Sequence, residues 1–275
     1  MIKTRKARFA TAIFTLLVFS FIYAIYGLFT SDFNVMSLKW VGMSFSVGFF
    51  FVFIMMGRSF GYIKALLAML GIAVTIALMM YLNSLRAWPF GMSVYHDVLG
   101  WQFQRVSWSV PVIWAAITGG MLTLKKPEQI PSDPKVLFSW AFDTALIVMV
   151  LSIVIEPMAR LTNAVTWVSQ GAILGVPLSA FLGWFITSFI ASFVGMMILR
   201  PWTKKSNPVH HFLPLAFAGF FTLIFILSTR LDIALIQLIS AVFVIYFLIW
   251  TLRYGKNQND SITVIESTHI EITQK

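Results

Sequence analysis

The chain has 275 residues, of which 59% are hydrophobic and 11% charged, and its formal net charge is +10. This balance lies far outside that of soluble domains and makes the chain an integral membrane protein. It contains no cysteine, which excludes disulfides, thiolate nucleophiles and cysteine metal sites.

A membrane-crossing helix needs roughly 20 apolar residues. Eight stretches qualify: Phe9 to Phe29, Val41 to Met56, Tyr62 to Leu82, Ser109 to Leu124, Val136 to Met158, Ser179 to Leu199, Phe212 to Thr229 and Ile233 to Leu252. The expected fold is therefore all-α, a polytopic membrane bundle of about eight helices forming one domain over 1–254, with a polar tail over 255–275. The first run follows Lys3, Arg5, Lys6 and Arg8 but lacks a small-residue cleavage site, so it reads as a retained helix rather than a signal peptide. With the N-terminus inside, the outer segments hold Lys39, Arg86, Arg105, Arg160 and Arg230, and every other Lys and Arg falls in an inner segment. That distribution obeys the positive-inside rule and places both termini in the cytoplasm. The basic loops then read as topology signals resting near anionic lipid, not as a nucleic-acid surface.

The second and third spans are joined by a tight turn, Gly57 to Gly61. The outer segment 83–108 is long and carries Trp88, Tyr95, His96, Asp97, Trp101, Gln102 and Trp108. Loops of this length without regular structure usually act in function, although an aromatic belt at the membrane surface also accounts for the tryptophans. Val110 and Pro111 open the fourth span, as Val176 and Pro177 precede the sixth. Each pair follows a polar outer segment that itself follows an apolar helix. This is a weak parallel internal repeat, and it would bring the outer segments 83–108 and 159–178 together over one site.

Residues 125–135 form an inner linker with three prolines. Asp143 lies on the order of 10 Å inside the fifth helix, and an intramembrane carboxylate is either functional or a hydrogen-bonded packing residue. Glu156 is on the same helix, but roughly 20 Å further along the axis and about 220° around it, so the two acids cannot share a site. Glu156 sits instead on the side of Asp97, or pairs with nearby Arg160. From Glu156 to Trp184 the chain is of mixed polarity, with Pro157, Arg160, Trp167, Gly175, Pro177 and Phe181. Such a segment must satisfy its own backbone groups or sit against protein, because lipid offers no hydrogen-bond partner. His210 and His211 read as a loop pair, and the tail 255–275 as disordered or weakly extended.

Gly91, Tyr95, Leu99 with Gly100, Val110 with Pro111 and Trp114, Asp143, Glu156 with Pro157, Trp167, then Gly175, Val176, Pro177, Phe181, Gly183 and Trp184 form a pattern. In it the chain resembles the membrane carotenoid-biosynthesis family, which includes carotenoid 1,2-hydratases and bisanhydrobacterioruberin hydratases. The resemblance spans Phe90 to Trp184. Members often have Asp at Glu156, Asn at Ala180 and Tyr at the residues before the Gly-Val-Pro turn.

The resemblance implies addition of water to a terminal double bond of an acyclic carotenoid, a lipophilic polyene dissolved in membrane lipid, in company with other enzymes of the pathway. Protonating a trisubstituted alkene needs a carboxylic acid kept protonated near neutral pH. Glu156 is the expected acid, with Asp143 in reserve, and Asp97 or His96 the expected base for water. Tyr95, Trp101, Trp167 and Trp184 would face the cation, with Gly175, Pro177 and Phe181 shaping the pocket. This chemistry requires no cofactor and no metal. Two alternatives stay open: a non-catalytic carotenoid or lipid binder or carrier, and an isomerase or cyclase that gives the cation another fate.

Overall fold

Apolar stretches that leave water must bond their own peptide groups, and this chain does so as helices. The computed structural model describes residues 2–30, 35–96, 101–103, 106–126, 133–200 and 212–273, with backbone alone over 2–8, 10, 27–30, 35–45 and 254–273. Among the described residues there are eight helices: α1 (Ile2–Thr30), α2 (Val35–Phe60), α3 (Tyr62–Arg86), α4 (Ser109–Leu124), α5 (Pro134–Leu161), α6 (Leu178–Leu199), α7 (Phe212–Arg230) and α8 (Ala234–Thr273). They follow the eight expected spans in order. Helices α3, α5, α6, α7 and the Ala234–Arg253 part of α8 are long and apolar enough to cross a membrane, while Thr11–Tyr26, Ser46–Phe60 and Ser109–Leu124 are shorter apolar helices.

Local chemistry sets the boundaries. Asp133 caps α5 by accepting the Lys135 N–H at 2.8 Å, and Pro134 occupies the first helical position, where its missing N–H costs nothing. Helix α3 ends where Ala87 turns left-handed at φ 54° and donates its N–H to the Asn83 carbonyl. Gly175, at φ +80°, makes the turn that delivers Pro177 to the start of α6. The helical backbone of α8 continues to Thr273, through the tail expected to be disordered or extended; no proline interrupts that stretch.

Helix α4 is the axis of the bundle. Every residue in it except Val112 is buried, as expected of a helix that is apolar all round. Adjacent glycines let its neighbours approach. A methyl at Gly119 would meet Met69 Sδ of α3 at 2.6 Å, and one at Gly120 would meet the Phe217 ring of α7 at 2.6 Å. The main neighbour pairs are α7 with α8, α5 with α6, α3 with α6, α1 with α2, and α2 with α4.

Among the described residues, four short strands lie at one end of the bundle: β1 (Ser93–Tyr95), β2 (Gln102–Phe103), β3 (Val106–Ser107) and β4 (Val165–Trp167). Strands β2 and β3 form a local hairpin, but β1 pairs antiparallel with β4, placing Ser93 opposite Trp167, Val94 opposite Thr166 and Tyr95 opposite Val165. The polar segments before α4 and before α6 are thus joined by a strand pair.

Candidate active site

Helix α5 brings Glu156 to the loop end of the bundle, just before Pro157. Glu156 is 4% exposed. Its Oε1 accepts the indole N–H of Trp184 at 2.6 Å, while its Oε2 is buried with no partner among the described residues. Trp184 in turn stacks on Trp114 of α4, with ring centroids 3.7 Å apart and planes at 20°. Phe90 closes a third side, its ring centroid 4.7 Å from that of Trp184. The carboxyl of α5 therefore sits beside an aromatic wall drawn from α4, α6 and the segment after α3.

Phe90 is held there by its backbone. Its N–H donates to Asn83 Oδ1 at 3.0 Å, and its carbonyl accepts from the Ser179 hydroxyl at 2.9 Å. Asn83 also donates from Nδ2 to the Gly91 carbonyl. Gly183 has no side chain to keep the ring away, since a methyl there would lie 2.5 Å from Phe90 Cδ1.

The β1–β4 pair covers the site, and its pleat decides which side chains face inward. Successive residues of a strand point to opposite faces. Val165 and Trp167 are buried, while Thr166 is exposed and Val94 is 46% exposed. Ser93 and Tyr95 therefore share the inner face with Trp167, whose indole Nε1 is buried without a partner among the described residues. Burial pushes the Tyr95 phenol well above its ordinary pKa, the nearby Glu156 carboxylate adds to the rise, and a hydrogen bond with Ser93 opposes it. Tyr95 and Glu156 thus belong to one site.

Several expected positions fall elsewhere. His96 follows the outward parity of Val94: its Nε2 lies 2.7 Å from Thr166 Oγ1, and its N–H donates to the Ala164 carbonyl. It is turned away from Glu156. Trp101 is 70% exposed beside Phe103 on the β2–β3 hairpin, so it belongs to the surface and not to the pocket. Asp143 is exposed on α5, on the helix face that carries Phe142. Arg160 makes no pair with Glu156; its Nη1 donates to the Leu174 carbonyl at 3.1 Å. Gly175 packs its bare α-carbon against that guanidinium, and Pro177 precedes α6, so both shape the turn. Phe181 is buried one turn before Trp184. Asp97 lies outside the described residues.

Phe90, Asn83 and Ser179 are not among the expected site residues. Gly183 was their one signal, because a glycine inside an apolar helix marks a close approach. An apolar cavity of about 50 Å³ lies apart from the acid, bordered by Leu17, Phe51, Ile113, Ile117 and Phe217 among others. It is on the Ile113 and Ile117 face of α4, away from Trp114.

A bundle of apolar helices, five of them long and apolar enough to cross a membrane, defines a polytopic membrane protein, and among the described residues its one buried acid lies beside an aromatic wall. The family model for carotenoid biosynthesis proteins matches residues 39–250, well beyond the Phe90 to Trp184 stretch that carries the resemblance. This chain belongs to that family. No curated protein and no solved structure matches it.

Proposed function

We propose that the chain is an enzyme that hydrates a terminal double bond of an acyclic carotenoid, with the loop end outside and both termini in the cytoplasm. The observation that carries this reading is Glu156, whose Oε1 is fixed by Trp184 and whose Oε2 is buried with no partner among the described residues. Oε2 gives its proton to the less substituted alkene carbon, and a tertiary cation forms at the other. Aromatic faces favour such a cation by ~0.5–2 kcal/mol each, and Trp184, Trp114 and Phe90 supply them. The oxygen of one water then bonds to the cationic carbon. The proton released from that water returns to the Glu156 carboxylate directly or through Asp97, so acid, alkene and water balance without another reactant. The Trp167 indole N–H, buried on the inner face of the clip, can hold the water oxygen, and Tyr95 stays a neutral hydroxyl beside it. The polyene would reach the site from the lipid, supplied by earlier enzymes of the pathway.

The test is chromatography and mass spectrometry of pigments from a carotenoid-producing bacterial host, with and without the chain. A product heavier by one water is expected, and Glu156→Gln should lower its formation by about 10² or more, the scale of general acid catalysis. A new isomer of unchanged mass would replace hydration with isomerisation or cyclisation. Unaltered pigment co-purifying with the protein would replace catalysis with binding.

A further inference from the structure

Hydroxyls inside helices ordinarily donate to a carbonyl one turn back. Thr75, Thr123, Thr144, Thr222 and Thr251 of this chain do so, to Gly71, Gly119, Trp140, Ala218 and Phe247. Thr118, Thr187, Ser188 and Ser192 do not. Each is 0% exposed, and its hydroxyl oxygen has no partner among the described residues. Apart from Ser240 on α8, these are all the buried hydroxyls of that kind among the described residues.

Their placement is not scattered. Helices α4 and α6 run side by side in the same direction, touching at Trp114 with Trp184 near the loop end. They touch again deeper, where a methyl on Gly195 would lie 3.2 Å from Leu122 Cδ2. Residues four apart share a helix face. Thr118 follows Trp114 by one turn, Ser188 follows Trp184 by one turn, and Ser192 follows Ser188. All three therefore fall between the two contacts, on the facing stripes of α4 and α6. On α5, Ser152 is one turn inward of Glu156 and wholly buried, with its hydroxyl donating to Met149 and its lone pairs free to accept. Buried water requires several polar partners, and this seam provides a file of them ending at the Trp184–Glu156 pair.

We propose that Thr118, Ser188 and Ser192 line a buried water seam between α4 and α6 that leads from mid-bundle to the Glu156 site. It deepens the hydration reading, on which its role rests: each turnover consumes one water inside an aromatic enclosure, and the seam supplies it from the side opposite the β1–β4 cover. The existence of the seam does not depend on that reading and is tested apart from it.

The experiment is radiolytic hydroxyl-radical footprinting of the purified full chain, in which radicals arise from bound water and oxidise the side chains next to it. Met196, 1% exposed and one turn beyond Ser192, is the reporter; Met55, 2% exposed on α2, is the dry control. Met196 should oxidise several-fold faster than Met55, and Thr118→Val with Ser192→Ala should bring it down to the control rate. Equal rates in the unaltered chain overturn the seam whether or not the variant folds, and so does a folded variant with undiminished Met196 oxidation. In the pigment assay the same variant should slow product formation without loss of bound pigment. A host whose pigments never change would sink the hydration reading alone, since Met196 oxidation is read without substrate.

Discussion

Replacing Trp184 by Phe removes the indole N–H from Glu156 while keeping an aromatic ring beside Trp114 and Phe90. A buried carboxyl stripped of its one partner among the described residues costs about 1–3 kcal/mol. The missing ring atoms leave a void in a side chain that is 1% exposed, which adds about 1 kcal/mol. The sum is ~3 kcal/mol, equivalent to a fall in Tm of roughly 6–12 °C for a chain of this size. Thermal unfolding of the detergent-solubilised protein measures it, and a double-mutant cycle isolates the pair. Glu156→Leu alone leaves the indole N–H buried and unpartnered, so it too destabilises, whereas the double variant removes donor and acceptor together. The double variant should therefore lose less than the sum of the singles, by about 1–3 kcal/mol. Additive losses would mean that the hydrogen bond contributes nothing and that Trp184 acts by packing alone.

Gly183→Ala should cost about 1–3 kcal/mol by overpacking, because Phe90 cannot back away: a methyl would approach its Cα at 2.9 Å while Asn83 and Ser179 hold its backbone. Gly48→Ala, with nothing within 4 Å, is the matched control and should be neutral or slightly stabilising in the same melt. Tyr95 should remain un-ionised through the range near pH ~10 where ordinary tyrosines titrate, so ultraviolet titration of Tyr95→Phe should match the parent there. The sign for stability follows. Tyr95 ionises in the unfolded chain before it does so in the folded one, so raising the pH above ~10 should favour unfolding more in the parent than in Tyr95→Phe.

The helices were legible because length and apolarity are properties of the sequence itself. The α4 limits, Ser109 and Leu124, coincide with the predicted span because polar residues flank it on both sides. Glu156 and Trp184 stood out for the same reason, as polar groups in an apolar chain. Side-chain direction was another matter. Strand β1 has three residues and β4 has three, too few to show a period, so nothing local told His96 from Tyr95. The distinction comes from pairing with residues some seventy positions away, and a shift of one residue would have exchanged the two faces. Trp101 misled because an aromatic beside a polar loop reads alike whether it lines a pocket or rests on the surface. Phe90 was hidden by abundance, one of 27 phenylalanines.

The burial of α4 also orders the making of the protein. Its surroundings come from both sides of the chain: Met69 of α3 precedes it, while Trp184 of α6 and Phe217 of α7 are synthesised later. When α4 first leaves the ribosome, the faces that will meet α6 and α7 have only lipid or the insertion machinery beside them. Its Gly120 notch stays unfilled until Phe217 arrives. A chain stopped before α7 would carry the acid, the indole and the strand clip, yet its central helix would lack a wall.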